Sequence, residues 1–177
     1  RILIGGLVSA MIFSACSRDE YDPAHDYFSF ANSDQFVTRH LVLDLKVDFD
    51  RQILDGNAIL HMERLDPAAT TVVLDSRGLQ ISGIQVSASE MEAKPVTFDV
   101  SEADPVKGEA IRIHLPADFQ SHTEFLLEID YQTGPDASAL MWLPPELTAG
   151  GKFPFLFTQS QSIHARSWVP LQDTPGV

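Results

Sequence analysis

Between Phe155 and Pro175 the chain reads Phe-Leu-Phe-Thr-Gln-Ser-Gln-Ser-Ile-His-Ala-Arg-Ser-Trp-Val-Pro-Leu-Gln-Asp-Thr-Pro, an apolar run joined to a dense set of polar side chains. Gln159 and Gln161 stand at alternate positions, so on an extended chain both carboxamides would project to the same side. A neutral amide offers an acceptor and donors together and can hold an ammonium or a peptide group without adding charge. This marks a candidate edge of a binding cleft. The residues alone favour the plainer reading, in which both amides satisfy nearby backbone groups, because most side-chain hydrogen bonds go to backbone or water.

His164 has no Cys, Asp or second His at ligand spacing, which makes it a structural hydrogen-bonding residue rather than a base or metal ligand. Arg166 could clamp a carboxylate in bidentate fashion, and Asp173 is the acid that its position suggests. Ser160 and Ser162 have no base beside them in sequence to make either a nucleophile. Trp142 with Pro144 and Pro145 reads as a rigid aromatic corner with a core role under the cleft.

The elements that must position these residues read as strands. From Phe36 the chain alternates: Leu41, Leu43, Leu45, Val47 and Phe49 share one face, and His40, Val42, Asp44, Lys46 and Asp48 the other. That pattern is a half-buried antiparallel strand. Asp50–Gln52 form a turn and Leu54–Arg64 return, with Gly56 a bulge or strand start. Further strands are expected over Thr70–Asp75, Leu79–Ser87, Val96–Val100, Ala110–Leu115 and Phe125–Thr133, separated by Gly, Pro, Asp and Ser clusters. No helix is expected after the N-terminal apolar run. The fold class is therefore all-β, a sandwich or saddle-like antiparallel sheet.

At 177 residues the chain holds one domain with a proper core, or one domain and part of a second. With 44% hydrophobic and 21% charged residues it is an ordinary globular chain. A formal net charge of -13 excludes sequence-independent nucleic-acid binding, which depends on Lys and Arg. The single Cys16 excludes an internal disulfide framework. The absence of an initiator Met and the stop at Val177 suggest a fragment at both ends.

Arg1 and the apolar run Ile2–Phe13 suit a signal-peptide core too short to span a bilayer. The run ends Phe13-Ser14-Ala15-Cys16, which resembles a bacterial lipoprotein cleavage box. The resemblance implies lipid attachment at Cys16 and an outer-membrane anchor facing the periplasm. An ordinary secretory signal with an incidental Cys is the alternative. Residues 1–16 are thus the signal, 17–34 a polar tether whose Tyr27, Phe28 and Phe30 could dock, and 35–177 the β domain.

Several motifs in order carry a wider resemblance. They are Val47-Asp48-Phe49-Asp50-Arg51 with Leu54-Asp55-Gly56-Asn57-Ala58, Ser138 to Thr148, Phe155-Leu156-Phe157, Gln159 to Arg166, and Gln172-Asp173-Thr174-Pro175. Together they resemble the N-terminal domain of the zinc aminopeptidases of the aminopeptidase N family, leukotriene hydrolase/aminopeptidase branch. That domain is a β-rich, saddle-shaped assembly, in agreement with the strand pattern. Leu147, where the family usually has Gln, and Gly176 depart from its pattern.

The resemblance implies that Gln161 accepts a hydrogen bond from the free α-ammonium of a peptide substrate, and that Gln159 lines the pocket for the first side chain. Zinc and the catalytic residues are implied for a separate C-terminal domain of the parent enzyme. None of the six His residues begins a His-Glu-x-x-His motif, so this fragment is expected to bind no metal and to be inactive alone. Implied partners are peptides with a free N-terminus, the chain's own catalytic domain, and the membrane through a lipid anchor. A non-catalytic β-sandwich lipoprotein that binds peptide, glycan or a protein is the alternative.

Overall fold

The structure, a computed structural model, describes residues 26–89 and 91–177. The expected signal, Cys16 and the first part of the tether lie outside the described residues. Ten strands follow in order: β1 (Phe36–Asp48), β2 (Ile53–Arg64), β3 (Thr71–Ser76), β4 (Gln80–Ser87), β5 (Lys94–Pro95), β6 (Thr97–Val100), β7 (Glu109–His114), β8 (Glu124–Gln132), β9 (Leu140–Leu143) and β10 (Phe155–Thr158). Among the described residues the only helical pieces are short 3-10 turns at Ala117–Phe119, Pro145–Leu147 and Ala165–Ser167. The fold is all-β, as the alternation requires.

The strands form a five-stranded sheet in the order β1-β2-β8-β4-β5, a three-stranded sheet β3-β7-β6, and a separate β9–β10 hairpin, with every pair antiparallel. The core lies between the two larger sheets. Ala58, Leu60, Met62, Ile84, Val86, Leu127 and Ile129 come from one side, and Val72, Leu74, Ile111 and Ile113 from the other. Each is an alternate position on its strand, so period-two patterning supplies most of the interior, with Ala69, Leu115 and Phe119 added from outside the strands.

Each of the seven expected strands occurs within a residue of its expected bounds. Three local expectations change. Leu41, Leu43 and Leu45 pack on the core only in part, and Val47 and Phe49 are exposed, as β1 is the edge strand of its sheet. Gly56 lies inside β2 rather than at a bulge; an added Cβ there would stand 2.1 Å from the Asp44 carbonyl oxygen, so only glycine permits this strand approach. The register shifts sit instead between Thr38 and His40 and between Ile81 and Gly83.

The last part of the tether is bound to the body. Asn32 brackets β3 by donating to the Thr71 carbonyl at 2.9 Å and accepting from the Val73 N–H at 2.9 Å. The Lys107 ammonium lies 4.0 Å from the Phe30 ring centre.

Candidate functional site

The polar stretch after β10 is presented by the β9–β10 hairpin, whose register pairs Phe155 with Leu143 and Thr158 with Leu140. Pairing continues one step further, where the Gln159 N–H donates to the Ala139 carbonyl at 2.9 Å. The strand then ends. Gln159 turns its side-chain oxygen onto the Gln161 N–H at 3.1 Å, which curls the backbone and prevents the extended alternation that the sequence suggested. The peptide joining Gln161 to Ser162 is cis, and Ile163 has φ 57°.

A β-branched residue in the left-handed region is costly and persists only where neighbours fix it. Here the His164 N–H donates to the Ser160 carbonyl at 2.9 Å, and the Trp168 indole N–H donates to the Ser160 hydroxyl at 3.1 Å. His164 has the structural role expected of it: its Nδ1 lies 2.8 Å from the Ser138 hydroxyl. Ser167 donates to the His164 carbonyl at 2.8 Å while accepting from the Ala139 N–H at 3.0 Å, tying the loop back to the start of the hairpin.

Beneath this loop Arg166 is fully buried. Its Nε donates to the Asp173 carboxylate at 3.0 Å, the pairing expected from sequence. The remaining donors reach carbonyl oxygens of Asp173 at 3.0 Å, Phe28 at 2.9 Å and Lys107 at 2.7 Å. One guanidinium thus gathers three separate segments in a single plane, which an ammonium could not do.

Asp75, at the end of β3 and equally buried, faces Arg166 at 3.6 Å. It accepts from the Ser29 hydroxyl at 2.6 Å and from the backbone N–H groups of Phe30 at 2.7 Å and Asp173 at 3.0 Å. Burial pushes its carboxyl above the usual range, opposed by those donors and by the Arg166 charge.

Two neutral groups complete the frame. The Gln172 carboxamide donates to the Phe36 carbonyl at 2.7 Å and accepts from the Thr38 N–H at 2.8 Å, standing in for a neighbouring strand on the edge of β1. The buried Tyr131 hydroxyl donates to the Trp168 carbonyl at 2.9 Å, and burial raises its pKa further above the ordinary phenol range.

The frame leaves an open groove of about 740 Å³ beside the loop, lined in part by Asp26, Phe28, Gln161, Asp173 and Pro175. Gln161 is exposed there, and its carboxamide makes no hydrogen bond to another described residue. Gln159 is exposed but does not line the groove. An acceptor on a fixed loop, in a groove also lined by Asp26 and Phe28, suits a small cation bearing an apolar substituent.

Trp142 does not take the expected core place. It packs edge-on against Phe49 at 5.6 Å, beside the β1–β2 turn, and its buried indole N–H has no partner among the described residues. The sequence reading also missed Asp75, Ser29 and Asp26, which lie far from the motif in the chain. The available signal was an acid closing the otherwise apolar run Val72-Val73-Leu74.

Comparison with known proteins agrees with this geometry. Residues 21–177 match the Peptidase M1 N-terminal domain. The chain is 36% identical over 152 residues to leukotriene A-4 hydrolase of Xenopus laevis, covering 86% of this chain and 24% of that protein. It is 37% identical over 149 residues to leucine aminopeptidase 2 of Phaeosphaeria nodorum, covering 84% of this chain and 23% of the relative.

Native leukotriene A4 hydrolase from Saccharomyces cerevisiae superposes with a TM-score of 0.76 at 26% identity, over 89% of this chain and 24% of that one. The chain therefore spans about a quarter of the length of the relatives it matches. By sequence, fold and the order of its motifs, this chain belongs to the M1 peptidase family as its N-terminal domain.

Proposed function

We propose that this domain supplies the substrate-amine contact of a zinc-dependent aminopeptidase that removes N-terminal residues from peptides. The observation that carries the reading is the Gln161 carboxamide in the groove, unpaired among the described residues, on a loop held from below by Arg166. Its oxygen accepts from the α-ammonium, and Asp26, which lines the same groove, favours a cation over a neutral end. Gln159 stands outside the groove and braces the loop through its oxygen.

Among the described residues no three His, Cys, Asp or Glu side chains are grouped to hold a metal. They do not fit the family's zinc, and no catalytic step is assigned to them. The zinc chemistry falls to a C-terminal catalytic domain, and this domain is inactive by itself. Met141, Phe155 and Phe157 lie exposed on one face of the β9–β10 hairpin, with Phe153 exposed beside it. Large apolar groups clustered this way mark a docking surface, and the catalytic domain is its proposed occupant. Export and lipid attachment at Cys16 are proposed from the sequence of residues 1–16.

The test is release of amino acids from aminoacyl-anilides by the full-length protein, with and without a zinc chelator. Chelator-sensitive activity whose KM rises by about 10–100-fold in Gln161→Ala, as loss of a hydrogen bond to a charged group would require, supports the reading. A zinc-loaded full-length protein without activity overturns it in favour of a non-catalytic binding lipoprotein.

A further inference from the structure

A second groove, of about 460 Å³, opens at one end of the five-stranded sheet and is lined in part by Arg39, His40, His61, Glu63 and Glu124. His40 and His61 are direct cross-strand partners on β1 and β2, and both are exposed. Their ring centres lie 5.1 Å apart, with the rings at 76°. The amine-binding loop uses neither residue.

The backbone brings this pair together deliberately. Thr38 pairs with Met62, and the register then shifts so that His40, not Arg39, pairs with His61. Without that extra residue Arg39 would stand opposite His61, and His40 would turn toward the core side occupied by Leu60. The bulge re-aims one imidazole beside the other, a use of bulges that recurs near functional sites. The displaced Arg39 is bound by Glu63 at 2.6 Å.

We propose that His40 and His61 form a binding site for a divalent late first-row transition ion, with one imidazole nitrogen from each and water at the remaining positions. Two imidazoles on one ion, with metal–nitrogen bonds of about 2.0–2.1 Å and cis or tetrahedral angles, place their ring centres about 4.5–5.2 Å apart. The observed separation of 5.1 Å falls in that window, and the broad χ2 of His lets each ring turn one nitrogen to the shared point.

Glu63 and Glu124, themselves cross-strand partners, add negative charge beside the pair, while Arg39 is the opposing cation and is held by Glu63. Glu128, diagonal to His61 on the same face of β8, adds a further negative charge. Two nitrogen donors favour Cu2+ over Ni2+ and Zn2+, and leave Mg2+ and Ca2+ unbound. The site departs from the expectation that this domain holds no metal. A bound ion would cross-link the edge strand β1 to β2.

The test is titration of the full-length protein, with any catalytic zinc in place, by Cu2+ alone, followed by electron paramagnetic resonance and a chelator competition. The expected result is one copper per chain with hyperfine structure from two imidazole nitrogens. Its affinity should fall by about 10–100-fold, at least what loss of an outer-shell partner costs, in His40→Thr and in His61→Thr. Threonine suits an exposed strand position, and an unchanged metal-free melting curve verifies folding. His114→Thr, which alters an exposed His on the other sheet, should bind copper normally. Wild-type affinity in the His40 and His61 variants, a single-nitrogen signal, or loss of binding in the His114 variant would overturn the proposal.

Discussion

The Arg166 guanidinium and the Asp75 carboxylate face each other at 3.6 Å with neither side chain exposed to solvent. This contact joins the loop after β10 to the end of β3. Asp173 and the segment Phe28–Phe30 complete the same network. Replacing either partner alone leaves a buried charge without its match. Asp75→Ala and Arg166→Ala should each lower stability by about 3–5 kcal/mol, read as the shift in a urea or guanidinium unfolding curve. A change below about 0.5 kcal/mol, typical of surface sites, would show that the network is not a structural keystone.

Asp75 also sets a pH dependence. Burial raises its folded pKa above the ordinary value of 3.8, so the fold holds the proton more tightly than the unfolded chain does. Its contribution to stability is complete below that ordinary value and is lost as pH rises through the raised folded value. Relative to Asp75→Asn, which cannot titrate, the wild-type melting temperature should fall as pH increases across this window. Paired melting curves from acid to neutral pH check the sign. A difference that grows with pH would mean that Arg166 and the three donors outweigh burial.

Gln161 and Gln159 should separate by function. Gln161→Glu adds a carboxylate at the proposed ammonium contact and should lower KM for free-amine substrates, whereas Gln161→Ala raises it. Gln159→Ala removes the acceptor for the Gln161 N–H. It should cost about 0.5–1.5 kcal/mol of stability along with a smaller change in KM. Steady-state kinetics with free and N-acetylated substrates distinguish the two, since acetylation abolishes the ammonium.

Gly56→Ala tests the packing of β1 on β2. The new Cβ would meet the Asp44 carbonyl oxygen at 2.1 Å in a backbone with φ 152°. A backbone atom cannot yield as a flexible side chain would. A loss of roughly 2–4 kcal/mol is expected, at the severe end for a single substitution. Gly78→Ala has open space around its Cβ and only the cost of φ 66°, and should be milder in the same thermal-melting comparison.

Much of this protein was legible in its sequence because strands write their burial locally. Period-two alternation located β1 to β4 and β6 to β8 and thus the all-β class. The motif from Gln159 to Arg166 pointed to the candidate site, and the short separation of Arg166 and Asp173 suggested their pairing. The β9 strand was hidden because Leu140-Met141-Trp142-Leu143 is continuously apolar, with no alternation to read.

The tertiary structure decided what no local pattern encodes. The side chain of Gln159 captured the Gln161 N–H and turned an expected extended edge into a loop, because a near acceptor outcompeted further pairing with β9. Asp75, Ser29 and Phe28 joined Arg166 only through the approach of β3 and the N-terminal segment. A bulge of one residue set His40 beside His61. Each of these depends on register or on contacts between distant segments, and side-chain periodicity within a strand carries neither.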